Sequence, residues 1–127
     1  MKKEKFHIEY VFEKVSRRSL WNQITTPPGL SAWFADDVMI SGSTYTFKWD
    51  KDEEVAEIVC LKPEISVRYH WLEDENENSY FEFKLHTIEL TGATALEITD
   101  FAEEDEKEDA ISLWDSQIDR LKHTLGI

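Results

Sequence analysis

The chain keeps a helical period for several turns in only one clear place. Ile111, Trp114, Ile118, Leu121 and Leu125 recur three and four residues apart, laying an apolar stripe along one side of a helix that Gly126 ends. Such a stripe has to be covered. The acidic run EEDEKED at 103–109 precedes it, and negative charge there complements the positive end of the helix dipole.

From Val38 to about Phe101 the period is two instead. STYTFKWD sets Tyr45, Phe47 and Trp49 against Thr44, Thr46 and Lys48, and SVRYHWL sets Val67, Tyr69 and Trp71 against Arg68 and His70. YFEFKLHTIEL does the same with Phe81, Phe83 and Leu85. A hairpin centred near Asn76 would oppose Trp71 to Phe81, Tyr69 to Phe83 and Val67 to Leu85, all on one side. Gly42, DKDE, EDENEN and TGAT mark reversals. VAEIVCL is apolar on both parities, which leaves the direction of Glu57 open. ATALEITDF makes a last strand.

Ahead of this meander, FHIEYVFEK alternates as a half-buried strand, and Ser16 offers an N-cap to a short helix carrying Leu20, Trp21 and Ile24. TTPPG stops that helix, because neither proline donates a helical hydrogen bond. Pro28 is placed to open a second short segment, on which Leu30, Trp33 and Phe34 share a face. The order is strand, two short helices, about six strands and one long helix, an α+β arrangement in one domain over residues 1–127. A sheet that curls around the last helix covers both apolar surfaces.

Bulk properties exclude several classes. With 27 acids against 14 bases the net charge is −13, and basic residues form no stripe for nucleic acid or an anionic membrane. The single cysteine, Cys60, rules out an internal disulfide and a cysteine metal cage, and its apolar surroundings predict a buried thiol. Neither a signal-peptide stretch nor a membrane-spanning run is present, so a cytoplasmic location is expected.

Three local patterns in this order resemble the START-like superfamily (SRPBCC, Bet v 1-like, helix-grip), specifically the branch similar to activators of the Hsp90 ATPase. They are LWNQITTPPGLSAWF at 20–34, EIVCLKPEISVRYHW at 57–71 and WDSQIDRLKHTL at 114–125. The resemblance spans nearly the whole chain. It implies a helix-grip fold: a curved antiparallel sheet of about seven strands wrapped around a long C-terminal helix, with the two short helices after the first strand supporting one end of it.

Phe47, Trp49, Tyr69, Trp71, Phe81 and Phe83 form an aromatic sheet face, approached by Trp33, Phe34, Trp114 and Ile118 from the helices. From the residues alone this is a filled core. The resemblance implies a cavity for a small hydrophobic molecule, with the Tyr69 hydroxyl and the indole N–H groups as its polar points. The alternatives are an interaction domain acting on a protein partner through its acidic surface, and a cyclase or hydrolase. For catalysis the chain offers no nucleophile elbow, phosphate loop, dinucleotide fingerprint or zinc-protease motif; Glu57 is the one acid that could turn inward as a base, and the better expectation is that it faces water. His70, His86 and Glu82 form the nearest approach to a metal set, but a solvated ion-pairing face accounts for them better. No cofactor and no metal are expected.

Overall fold

The computed structural model describes residues 3–74 and 79–127. The chain runs β1 (Glu4–Phe12), α1 (Arg17–Thr25), α2 (Pro27–Trp33), β2 (Asp37–Ser41), β3 (Thr44–Lys48), β4 (Glu53–Lys62), β5 (Ser66–Trp71), β6 (Phe81–Thr87) and β7 (Thr94–Ala102). A 3-10 turn at Glu104–Glu106 then leads into α3 (Lys107–Leu125). The sheet order is β1-β7-β6-β5-β4-β3-β2. Strands β2 to β7 are therefore a meander, and β1 returns to pair antiparallel with β7. This is the α+β helix-grip arrangement expected, a seven-stranded curved sheet closing on the long terminal helix.

The junction between α1 and α2 shows how the proline pair works. Ser16 caps α1, its hydroxyl accepting from the Ser19 N–H at 3.1 Å. At the other end the carbonyls of residues 23 and 24 would ordinarily receive N–H groups four residues on, but those positions are Pro27 and Pro28. Aromatic side chains from elsewhere take over. Trp33 Nε1 donates to the Gln23 carbonyl at 2.8 Å, and the Tyr69 hydroxyl donates to that of Ile24 at 2.8 Å. The third orphan, on Thr25, accepts from the Tyr45 hydroxyl at 2.7 Å, while the Gly29 N–H goes instead to the Thr26 side chain, the N-cap of α2. Thus α2 opens one residue earlier than expected, on Pro27, because Thr26 is the residue with a free capping oxygen.

Gly29 lets the two helices meet. A β-carbon there would lie 2.2 Å from the Asn22 carbonyl oxygen and 2.7 Å from the Gln23 α-carbon, so backbone packs on backbone.

The β5–β6 register differs by two residues from the expected one. Val67 stands opposite Phe83 and Tyr69 opposite Phe81. A shift of two keeps each side chain on its face, so the aromatic surface is preserved. This register places Arg68 opposite Glu82, with Nε and Oε2 2.9 Å apart on the outer face, and inside it sandwiches Phe81 between Tyr69 and Trp71, at centroid distances of 4.9 and 4.8 Å. Opposite charges and stacked rings directly across a ladder both favour that pairing. The turn placed near Asn76 falls outside the described residues.

Strand β4 explains its own double parity. Ala56 is buried and Glu57 exposed, but the ladder to β5 shifts between Ile58 and Cys60, and β3 pairs only with residues 53–57. Val59 and Leu61 beyond that point are half exposed. Cys60, expected to be buried, is only partly so for the same reason.

Helix α3 buries Trp114, Ile118 and Leu121. The Tyr10 hydroxyl donates to Asp115 at 2.6 Å and Trp114 Nε1 to Asp100 at 2.9 Å, tying the helix to β1 and β7. Gly126 closes it in the left-handed region, at φ 76°.

Gly29→Ala should lose about 2–3 kcal/mol of unfolding free energy, since backbone cannot yield to the new methyl as a side chain would. Tyr69→Phe should lose about 1–3 kcal/mol by leaving the Ile24 carbonyl unsatisfied. Urea unfolding of both variants checks these values; wild-type stability in Tyr69→Phe would mean that water satisfies that carbonyl.

Candidate ligand-binding cleft

The rings predicted to line a cavity divide into two groups. Trp33, Phe47, Tyr69, Phe83 and Ile118 are fully packed in the interior. Phe34 is the joint between sheet and helices, with ring centroids 5.1 Å from Phe47, 5.7 Å from Phe81 and 5.8 Å from Trp114. The space expected between sheet and helix is largely filled by these side chains.

What remains open lies at one end. Phe34, Trp49, Trp71, Phe81 and Trp114 wall a cleft of about 170 Å³, completed by Ala110 and Leu113 of α3 and by Glu54, Asp100 and Gln117. Trp49 and Trp71 are only half-buried, their ring centroids 6.3 Å apart. Leu113 is 61% exposed on the opposite lip. The cleft continues outward into a groove of about 570 Å³, where Asp52, Glu53 and Glu73 join Glu54 on the walls. Another concavity, of about 290 Å³, lies by Val11, Lys122 and Ile127; it opens broadly to solvent and carries no aromatic residue on its walls.

The polar groups of the cleft are not those expected. The Tyr69 hydroxyl is spent on the Ile24 carbonyl, and burial holds that phenol far above its usual pKa of 10.0. The indole N–H groups of Trp33, Trp49 and Trp114 are likewise spent on the carbonyls of Gln23 and Phe34 and on Asp100. Glu57 faces water as expected, exposed and opposite His70 on the outer side. Glu54 shares the parity of buried Ala56, and Asp100 that of buried Leu96 and Ile98. Strand alternation in EEVAEIV and ATALEITDF carries that signal.

Both carboxyls are perturbed. Desolvation raises the Asp100 pKa from 3.8, against the opposing pull of the Trp114 and Phe101 N–H groups and of Lys3. Desolvation also raises that of Glu54, helped by the charges on Glu73 and Asp52.

On the outer sheet face, His70 Nδ1 lies 2.8 Å from the Ser79 carbonyl oxygen and Glu82 is paired to Arg68, so these two do not join His86. His86 instead meets Glu9, at 3.7 Å, and Glu97 lies close to both. Glu9 and Glu97 are directly opposed across β1 and β7, and His7 approaches Glu97 to 3.6 Å. The two imidazoles flank a like-charge pair that would otherwise weaken the ladder.

The domain model of the START-like superfamily matches residues 1–127, and the chain belongs to that superfamily. Among solved structures, a protein from Bacteroides fragilis is 48% identical over 100% of this chain and 94% of its own, with a TM-score of 0.71. An Aha1 dimer from Colwellia psychrerythraea is 21% identical, covering 98% and 97%, with a TM-score of 0.82. A protein of the dynemicin biosynthetic locus is 17% identical with a TM-score of 0.77 over 96% of this chain, which spans 47% of that protein. The last two are alike in fold. No match was found among curated protein sequences. Among the described residues no helix is long and apolar enough to cross a membrane.

A group with a raised carboxyl pKa penalises the folded state above that pKa, and the penalty fades as pH falls toward the unfolded value. Asp100→Asn removes the titration but also one of two accepted hydrogen bonds, giving a constant offset. The melting temperature of Asp100→Asn relative to the parent should therefore climb as the pH is raised from about 4 to about 8. Parallel melting curves across that range would contradict the desolvation of Asp100.

Proposed function

We propose that this domain binds a small apolar molecule in the cleft between the ends of β3–β6 and the N-terminal half of α3, without catalysing a reaction on it, and that it does so in the cytoplasm. The observation that carries this is the aromatic wall left open to solvent: Trp49 and Trp71 stand half-buried beside Phe34, Phe81 and Trp114 around a recess of about 170 Å³. A filled core would have closed over those rings. Recesses that are mostly apolar with a few polar groups are the usual form of small-molecule sites, and superfamily membership agrees with a ligand-binding domain. The volume suits one ring or a short branched chain in the recess, with any longer body lying along the groove outside.

Tryptophan fluorescence, excited where the probe does not absorb, should report saturable binding of phenethyl alcohol. Trp71→Ala should weaken it by about tenfold, the value of one lost aromatic contact and its buried area. Leu90→Ser, on a turn where Leu90 is 98% exposed, should leave it unaltered. Equal affinity in Trp71→Ala and the parent would remove the cleft as the site. Native mass spectrometry of protein purified from its own host would identify the natural occupant.

A further inference from the structure

The cleft is apolar in its depth, but the sign of the charge around it is one-sided. Asp100 stands in its wall, Glu54 at its edge, and Asp52, Glu53 and Glu73 along the groove beyond. A further hollow beside Trp71, sharing Glu54 and Glu73, adds Lys3, the one base among the described residues that line these three spaces. Lys3 is already engaged, its Nζ 3.5 Å from the Asp74 carboxylate.

Asp100 has a structural role as the acceptor of the Trp114 N–H, but no side-chain hydrogen bond among the described residues accounts for the acids grouped at the mouth of the cleft, Glu54, Glu73 and Asp52. Asp100 is part-buried on the inward side of β7, where a carboxylate loses hydration, and Glu54 is exposed at the mouth of the cleft, on the same face of β4 as buried Ala56. The direction of their shifts, upward in both, agrees with negative charge held close to apolar surface. Carboxylates lining the same cleft and groove as two half-buried indoles form the surroundings that favour an organic cation. Ring faces attract it through their quadrupole, and the acids supply the counter-charge where water is partly excluded. An anionic ligand would meet repulsion from the same groups.

We propose that the occupant of the cleft is a cationic amphiphile: an amine or quaternary ammonium whose apolar body enters between Trp49, Trp71 and Trp114 while its charge stays among Glu54, Glu73 and Asp52. This rests on the cleft being the ligand site, and it adds the ligand's charge. The acids then have a selective role. They admit apolar cations and turn away fatty acids and other apolar anions of similar shape.

Three probes of matched shape separate the two ideas: phenethylammonium, phenethyl alcohol and hydrocinnamate, each titrated against the parent and against the Glu54→Gln/Glu73→Gln double variant. In the parent the ammonium should bind about tenfold more tightly than the alcohol, with hydrocinnamate weakest, and added salt should narrow the gap. In the double variant the ratio of ammonium to alcohol affinity should fall to near unity. Equal binding of ammonium and alcohol by the parent would overturn the cation proposal while leaving the cleft as an apolar site. A preference that survives unchanged in the double variant would overturn it too, because the acids would not be its source. Binding of none of the three would overturn the apolar site and the charge preference together.

Discussion

Three carbonyl oxygens at the end of α1 hold the architecture together. The proline pair deprives Gln23 and Ile24 of their helical donors, and a buried peptide carbonyl left unpaired is costly. The donors come from Trp33, Tyr69 and Tyr45, which lie on α2, β5 and β3. One punctuation mark in the sequence is thereby converted into tertiary attachments joining the helical V to the middle of the sheet. The same bonds consume the polar tips of large aromatic side chains, so their rings can be buried without leaving an unsatisfied hydroxyl or indole N–H.

That economy decides where a ligand site can be. Packed rings occupy the space between the sheet and α3, and Phe34 fills the angle where α2 meets the helix. On the side of the sheet that faces α3, aromatic surface opens into a cleft where the strands run past this plug, beside Trp49 and Trp71. Helix α3 enters this region with its acidic N-terminal turn and Leu113, and the sheet contributes Glu54 and Asp100. Apolar walls and negative charge therefore coincide at one end of the molecule, although they come from segments far apart in the chain. The other end of α3 carries Lys122, which approaches the Phe12 ring at 5.6 Å.

Much of this was legible from local chemistry. Ser16 and Gly126 punctuate helices as their residue types predict, and the period of two yields the strands of the meander. The stripe from Ile111 to Leu125 is the buried side of α3 at Trp114, Ile118 and Leu121. The β5–β6 register was missed by two residues because hydrophobic alternation is unchanged by such a slip; the Arg68–Glu82 pair and the stacking on Phe81 distinguish the two pairings. Among site residues, Glu54 and Asp100 are legible in the alternation, which sets them on the faces of Ala56 and of Leu96 and Ile98, but nothing local to β4 or β7 marks that those faces open into a cleft.

By itself the sequence determined the element types, their order and the face each one buries, because helix and strand periods and proline stereochemistry are local properties of the chain. Tertiary structure alone decided which donors reach the orphaned carbonyls, how far the aromatic rings fill the grip, and which acids stand around the remaining opening. Those outcomes depend on distances between segments far apart in the chain, such as Phe34 to Asp100 and Trp114, and sequence periodicity places no constraint on such distances.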